Sequence, residues 1–215
     1  MPHDEATPPD AYRGDGRHAR SARSRALILD AAHRAFVERG YVGTTIEAIA
    51  ERAGVSVQTV YAAFGSKRAL LGAVLDATIV GDYDDVPLIE RDWVSTLEAI
   101  VDCRQAAMHL GAGVVSVLTR TAPIYAVLSR AAADPGLVPI LDENRRRRHR
   151  DVEGLVSILA RNGLVRDGIT ASDGTDILFA IASEDVYLLL VGDCAWSVAQ
   201  VQTWMSEAIE RLLLG

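Results

Sequence analysis

An all-α fold, a three-helix head followed by a helical bundle, follows from three observations. Apolar residues recur at helical spacing from about residue 24 onward, and no stretch alternates as a strand does. Two short helical patterns also flank a glycine turn within residues 45–68. In the first, Ile46, Ile49, Ala50 and Ala53 follow the spacing i, i+3, i+4, i+7, with Thr45 (preceded by Thr44) as N-cap and Gly54 as the stop. Ser56 caps the second, 57–64, which turns Val60, Ala63 and Phe64 inward and Val57, Gln58, Thr59, Tyr61 and Ala62 outward. Gly65 ends it, and Ser66 caps a third helix that opens at Lys67.

Helix, tight glycine turn, helix is the order of a helix-turn-helix, whose second helix enters the major groove of DNA. Base edges are read there by short polar side chains near the helix N-terminus. Gln58 and Thr59 suit that task, and Val57 fits a thymine methyl. The same spacing also describes a plain αα-hairpin with a wet outer face.

Further residues separate the two readings. Thr45, Ile49, Ala50, Ala53, Gly54, Val55 and Ser56, then Thr59, Val60, Tyr61 and Phe64, then Lys67 and Leu70, make a stretch that resembles the DNA-binding domain of the TetR family of bacterial transcriptional regulators. The likeness extends back through Ile28, Leu29, Ala31, Ala32, Phe36, Gly40 and Tyr41, and covers roughly the first third of the chain. It implies that Thr45, with Thr44 beside it, holds a phosphate, that Ile46, Val57, Gln58 and Thr59 face bases, and that Tyr61 and Lys67 hold phosphates. Helix N-termini and hydroxyl or ammonium donors suit phosphate oxygens on independent grounds. Lys67 is the only lysine in the chain. Positions 62 and 63, where the family often carries a contact residue, are both alanine, so fewer direct base contacts are expected.

The net charge of −7, taken alone, opposes nucleic acid, but its distribution does not. Residues 17–68 hold nine basic and four acidic side chains, residues 1–16 one and four, and residues 69–215 twelve and 21. A basic head on an acidic body is the footprint of a DNA-binding module joined to another unit. With 215 residues, 49% of them hydrophobic, the chain can build one large domain or two modest ones. No apolar run is expected to span a bilayer and the polar N-terminus is no signal peptide, so a cytoplasmic protein is expected. Cys103 and Cys194 lack ligand spacing and read as core thiols.

In chain order, residues 1–16 read as a disordered tail, 17–68 as the DNA-binding head and 69–215 as a ligand-binding and dimerisation body. The basic run Arg17, Arg20, Arg23, Arg25 is either a minor-groove arm or a solvated lead-in. A helix over 24–39 is expected to bury Leu27, Ile28, Ala31, Ala32, Ala35 and Phe36 before Gly40. The helix from Lys67 runs to about Val80 and an acidic loop, 81–87, follows. Body helices are expected over 93–99, over 102–120 with an interruption at Gly111 and Gly113, over 122–133, over 136–162, over 173–191 and over 196–214. The run from Arg145 to Arg150 points all round a helix axis, and Asp142–Arg146, Glu143–Arg147 and Arg147–Asp151 stand at pairing distance, so a solvated helix is favoured over a second nucleic-acid patch.

The helix over 173–191 is apolar nearly all round, and 196–214 carries a stripe of Val198, Val201, Met205, Ala208, Ile209 and Leu212 beside Trp204. An isologous pairing of these two helices makes a four-helix homodimer interface. Their pattern resembles the actinobacterial branch of the same family, with its C-terminal tryptophan pair. Glu184 and Asp185 interrupt the apolar helix, facing either a cavity or an arginine at a kink. With Glu184, candidates for an effector pocket are Trp93, Arg104, Met108, His109, Arg120, Tyr125, His149 and Tyr187. No metal spacing, phosphate loop or nucleophile elbow is present, so no cofactor and no enzyme is expected. The resemblance implies a homodimeric repressor that a small molecule releases from a palindromic double-stranded DNA operator. The competing reading is a helical adaptor without sequence-specific DNA binding.

Overall fold

Glycines at positive φ punctuate the head. The structure, a computed structural model, describes residues 11–80 and 88–215. Helix α1 spans Ala11–Gly43, and Gly40 (φ 71°, ψ 175°) breaks its course. Of the expected tail, residues 1–10 lie outside the described residues and 11–16 already belong to α1. Arg17 to Arg25 is likewise helical rather than an extended arm. The buried face of α1 is Ile28, Leu29, Ala31, Ala32, Ala35 and Phe36. Leu27, expected inside, is 48% exposed, because the helix turns Leu29 inward instead.

Helices α2 (Ile46–Ala53), α3 (Val57–Phe64) and α4 (Lys67–Val80) complete the head. Each begins on a hydroxyl that accepts a backbone N–H: Thr45 Oγ1 from Ala48, Ser56 Oγ from Thr59 and Ser66 Oγ from Ala69, at 3.2, 3.1 and 3.1 Å. Gly54 (φ 67°) and Gly65 (φ 73°) close α2 and α3 in the left-handed region, where a Cβ is strained. Leu70, Leu71, Val74 and Leu75 of α4 enter the same core as α1–α3. That core continues into Ile124, Tyr125, Val127 and Leu128 of the body, so head and body share apolar packing.

The body is helical, with α5 (Asp92–Glu98), α6 (Cys103–Arg130), α7 (Val138–Arg161), α8 (Ala171–Ile181), α9 (Glu184–Leu188) and α10 (Val198–Leu213). Among the described residues there is no strand, only one antiparallel bridge between Val165 and Leu214. The acidic loop 81–87 lies outside the described residues.

Several expectations for the body are corrected. The two helices read over 102–120 and 122–133 are one helix, α6, with Pro123 inside it. Gly111 and Gly113 do not interrupt it. A Cβ on Gly111 would stand 3.1 Å from the backbone N and Cα of Ser206, and one on Gly113 would strike the Trp93 ring. These glycines let α10 and α5 approach, and α6 packs most extensively on α10. The unbroken α6 is also long and apolar enough to cross a bilayer, contrary to expectation, although half of its apolar window is buried inside the protein.

The helix read over 173–191 is broken, since Ser183 caps α9 by accepting the Val186 N–H at 3.2 Å, with Glu184 and Asp185 in the first turn. The stripe on α10 packs within its own chain: Val201, Met205, Ala208 and Ile209 are buried, while Val198 and Leu212 stay exposed. Trp204 meets Trp196 edge-on at 6.5 Å. Of the two thiols, Cys103 is half-buried and Cys194 exposed at the end of the π-type turn Leu189–Asp193, not in the core. The arginine run on α7 is paired, with different partners than spacing suggested: Arg145 with Asp142, Arg146 and Arg150 with Glu143, and Arg147 with Asp76 of α4.

Candidate nucleic-acid interface and body cavity

Helix α3 is clamped by its apolar side. Val60 is buried, Phe64 is half-buried against the head core, and Val57 also packs there. Arg25 of α1 donates to Ala63 O at 3.4 Å and lays its guanidinium 4.5 Å from the Phe64 ring centroid, fastening the helix end. Arg52 and Glu38 form a two-pronged bridge at 2.8 and 3.0 Å that ties α2 to α1. The hydrogen bonds from Arg52 hold the Glu38 carboxyl below its usual range. With the helix so fixed, Gln58, Tyr61 and Ala62, at i, i+3 and i+4, face outward. Ala63, expected inside, is exposed as well. Thr59 is half-buried, with its hydroxyl 2.8 Å from that of Ser56. A groove of about 410 Å³ between α1 and α3 is edged by Arg20, Ser24, Arg25 and Thr59.

Three residues expected at DNA are engaged within the head. Thr44 is fully buried and donates its hydroxyl to Ala35 O (3.0 Å) and Gly40 O (2.7 Å), satisfying carbonyls at the end of α1. Ile46 is 5% exposed and packs in the head core. Lys67 donates to Tyr41 O at 2.9 Å and Thr44 O at 2.8 Å and stands 4.4 Å from the Tyr41 ring centroid. Two of its three N–H donors thus pin the α1–α2 corner to α4. Thr45 remains at the exposed N-terminus of α2.

Residues 28–74 match the family described as bacterial regulatory proteins, tetR family. The match lies within the head, which is therefore similar to the TetR family. The HTH-type transcriptional repressor KstR2 of Rhodococcus jostii is 31% identical over 114 residues, 52% of this chain and 54% of that protein. The regulator TtgR of Pseudomonas putida is 46% identical over 54 residues, 25% of this chain and 26% of its own length. The chain thus spans about half or less of these two relatives, which are transcriptional regulators and not enzymes. A TetR-family structure from Mesorhizobium loti superimposes with a TM-score of 0.70 at 25% identity, covering 89% of this chain and 96% of that one. A Saccharomonospora viridis protein solved with choline gives 0.66 at 21% identity, over 89% and 97%, a likeness of fold.

Behind the TetR-like head, the body holds a partly open cavity of about 60 Å³. Val114, Leu118 and Thr121 line it from α6, and Asn144, Arg148, Asp151, Val152 and Leu155 from α7. Of the expected pocket residues, only Trp93 and Glu184 reach it. Arg104 and Met108 are exposed, and His109 bonds to Trp93 O at 2.6 Å. Arg120 reaches Thr78 O and Ile79 O at the end of α4. The Tyr125 hydroxyl donates to Asp185 at 2.9 Å, the Tyr187 hydroxyl lies 3.1 Å from that of Thr119, and His149 lies 5.3 Å from the Phe179 ring.

Glu184 is 4% exposed and stands 3.7 Å from Arg148. Arg148 donates to Phe179 O and Ala182 O at 2.7 and 2.9 Å, and burial pulls its pKa down while Glu184 opposes that pull. Burial pushes the Asp151 carboxyl up. The sequence did not single out Asn144 or Thr121, and it marked Asp151 only as a pairing partner for Arg147. The available signal was polar residues at 144, 148 and 151, spaced i, i+4, i+7 on the face that also carries Val152 and Leu155.

Proposed function

We propose that the chain is a cytoplasmic, homodimeric DNA-binding transcriptional repressor, released from a palindromic operator by a small molecule in its body. The supporting observation is the outward presentation of Gln58 and Tyr61 on a helix whose opposite side is locked by Val60, Phe64 and Arg25. A rigidly held helix with free polar groups is what groove reading requires. Arg20 and Arg23 on the neighbouring exposed part of α1 supply positive charge beside it.

Two such helices in a dimer reach successive major grooves when they stand about 34–36 Å, or a multiple, apart. The last two helices of the sequence reading are the surface assigned to the second copy. After the α10 stripe is used within the chain, they still offer Val198, Leu212, Leu189 and the Trp196–Trp204 pair. An effector shifts the dimer only if it binds the non-DNA geometry better. Ile79 near the end of α4 lines the cavity, which supports a link from occupant to head.

A mobility-shift titration on the DNA upstream of the chain's own gene, at several salt concentrations, tests the reading. Expected is a salt-sensitive, sequence-selective complex. Gln58→Ala should relax the preference at particular base pairs by roughly 1–3 kcal/mol each. Tyr61→Phe should weaken all sequences alike. Unchanged sequence preference in Gln58→Ala would remove Gln58 from base reading, and absence of any preference in the wild type would favour the adaptor.

A further inference from the structure

Two polar atoms in the body cavity lack hydrogen-bond partners among the described residues. Asn144 is 1% exposed and Thr121 fully buried, both line the cavity, and neither Asn144 Nδ2 nor Thr121 Oγ1 has a hydrogen-bond partner among the described residues. Buried donors in that state point to a bound acceptor. We propose that the cavity binds an uncharged ligand with an apolar body and one oxygen acceptor, such as a ketone, amide or alcohol, whose oxygen accepts from Asn144 Nδ2. This rests on the reading of the body as an effector domain and names the chemical class of the effector.

The same lining disfavours both charged alternatives. A carboxylate head would enter beside Glu184 and Asp151, two acids in a low-dielectric wall. Arg148 does not invite it, because its guanidinium is engaged with Phe179 O and Ala182 O and faces Glu184. An ammonium head would find acceptors in Glu184, Asp151 and Thr121 Oγ1, but it has no lone pair to accept from Asn144 Nδ2 and would leave that buried donor unmet, so it is disfavoured by hydrogen bonding and not by charge. Around the head, the wall is Trp93, Val114, Leu118 and Leu155, which suits a hydrocarbon body. The volume of about 60 Å³ fits only a few heavy atoms without movement of the walls, so small probes are appropriate.

Butanone, butylammonium and butanoate share a chain length and differ in the head. Their binding to the full-length protein, without DNA, is measured by amide chemical-shift titration, following the Asn144 side-chain NH2. Butanone should saturate and move that signal, with the two ions at least about tenfold weaker. Asn144→Leu and Thr121→Val should both stay folded by circular dichroism, and Asn144→Leu should weaken butanone by about tenfold. If Asn144→Leu fails to fold, Thr121→Val carries the test, with a severalfold loss expected. The assignment is overturned if either ion binds as well as butanone, if no probe binds, or if the folded variants bind butanone unchanged. A separate mobility shift then reads the effector domain itself: butanone bound with operator affinity unchanged preserves the ligand class and removes release.

Discussion

Replacing Lys67 by methionine separates two roles for the chain's single lysine. In the structure its ammonium donates to Tyr41 O at 2.9 Å and Thr44 O at 2.8 Å, over the Tyr41 ring. Hydrogen bonds with a charged partner contribute about 1.5–3 kcal/mol each, and a partly exposed cation–π contact about 0.5–1 kcal/mol. The group is half-buried and its contacts share one anchor, so they do not add fully; a loss of about 2–3 kcal/mol is expected. For a chain of 215 residues this lowers the melting midpoint by about 4–12 °C. Thermal denaturation followed by circular dichroism reads the shift. DNA affinity against salt, measured well below the melt, reads the other role, since one lost phosphate contact reduces the logarithmic slope by about 0.9. Expected are a lowered midpoint and an unchanged slope. An unchanged midpoint with a slope shallower by about one would refute the structural role and restore Lys67 as a phosphate contact. Lys67→Arg should rescue only part of the stability, because a planar guanidinium cannot aim its donors at the same two carbonyls.

Two further predictions concern packing and pH. Gly111→Ala places a methyl 3.1 Å from the Ser206 backbone, so α10 must shift from α6 at a cost of about 1–3 kcal/mol, seen as a lower urea midpoint. His33 is half-buried on α1, and burial holds its pKa below the usual 6.5, with Asp30 opposing and Arg34 adding to the shift. The unfolded chain therefore takes up the proton first: stability is full above pH 6.5 and falls as pH drops toward the lowered folded value. His33→Gln should flatten the urea midpoint across that window, and a variant retaining the wild-type slope would assign the pH dependence elsewhere.

The all-α class, the second half of α1 and the helices α2 to α4 were legible because short-range signals set them. Caps at Thr45, Ser56 and Ser66 and stops at Gly54 and Gly65 act within one turn of their own positions. The body was read less well where a residue's meaning depends on a distant neighbour. A glycine inside a helical pattern is either a break or a close approach, and at Gly111 and Gly113 the deciding atoms belong to Ser206 and Trp93. Ser183 before Glu184 and Asp185 is a local start signal that the long apolar run concealed. The α10 stripe marked a buried face correctly, but periodicity does not say whether the cover is the same chain or another.

The same ambiguity governs the head's site residues. A hydroxyl or ammonium near a helix end can satisfy a phosphate or an orphan backbone group, and both partners ask for the same donor. Thr44 and Lys67 are placed among the carbonyls that α1 leaves open at Gly40, so the protein uses them first. Among the described residues Gln58 and Tyr61 have no comparable neighbour, and α3 holds them at the surface. The residues that fasten the head and the residues that face outward therefore divide by whether a backbone acceptor lies within reach, a property of the α1–α2 corner that sequence spacing alone does not contain.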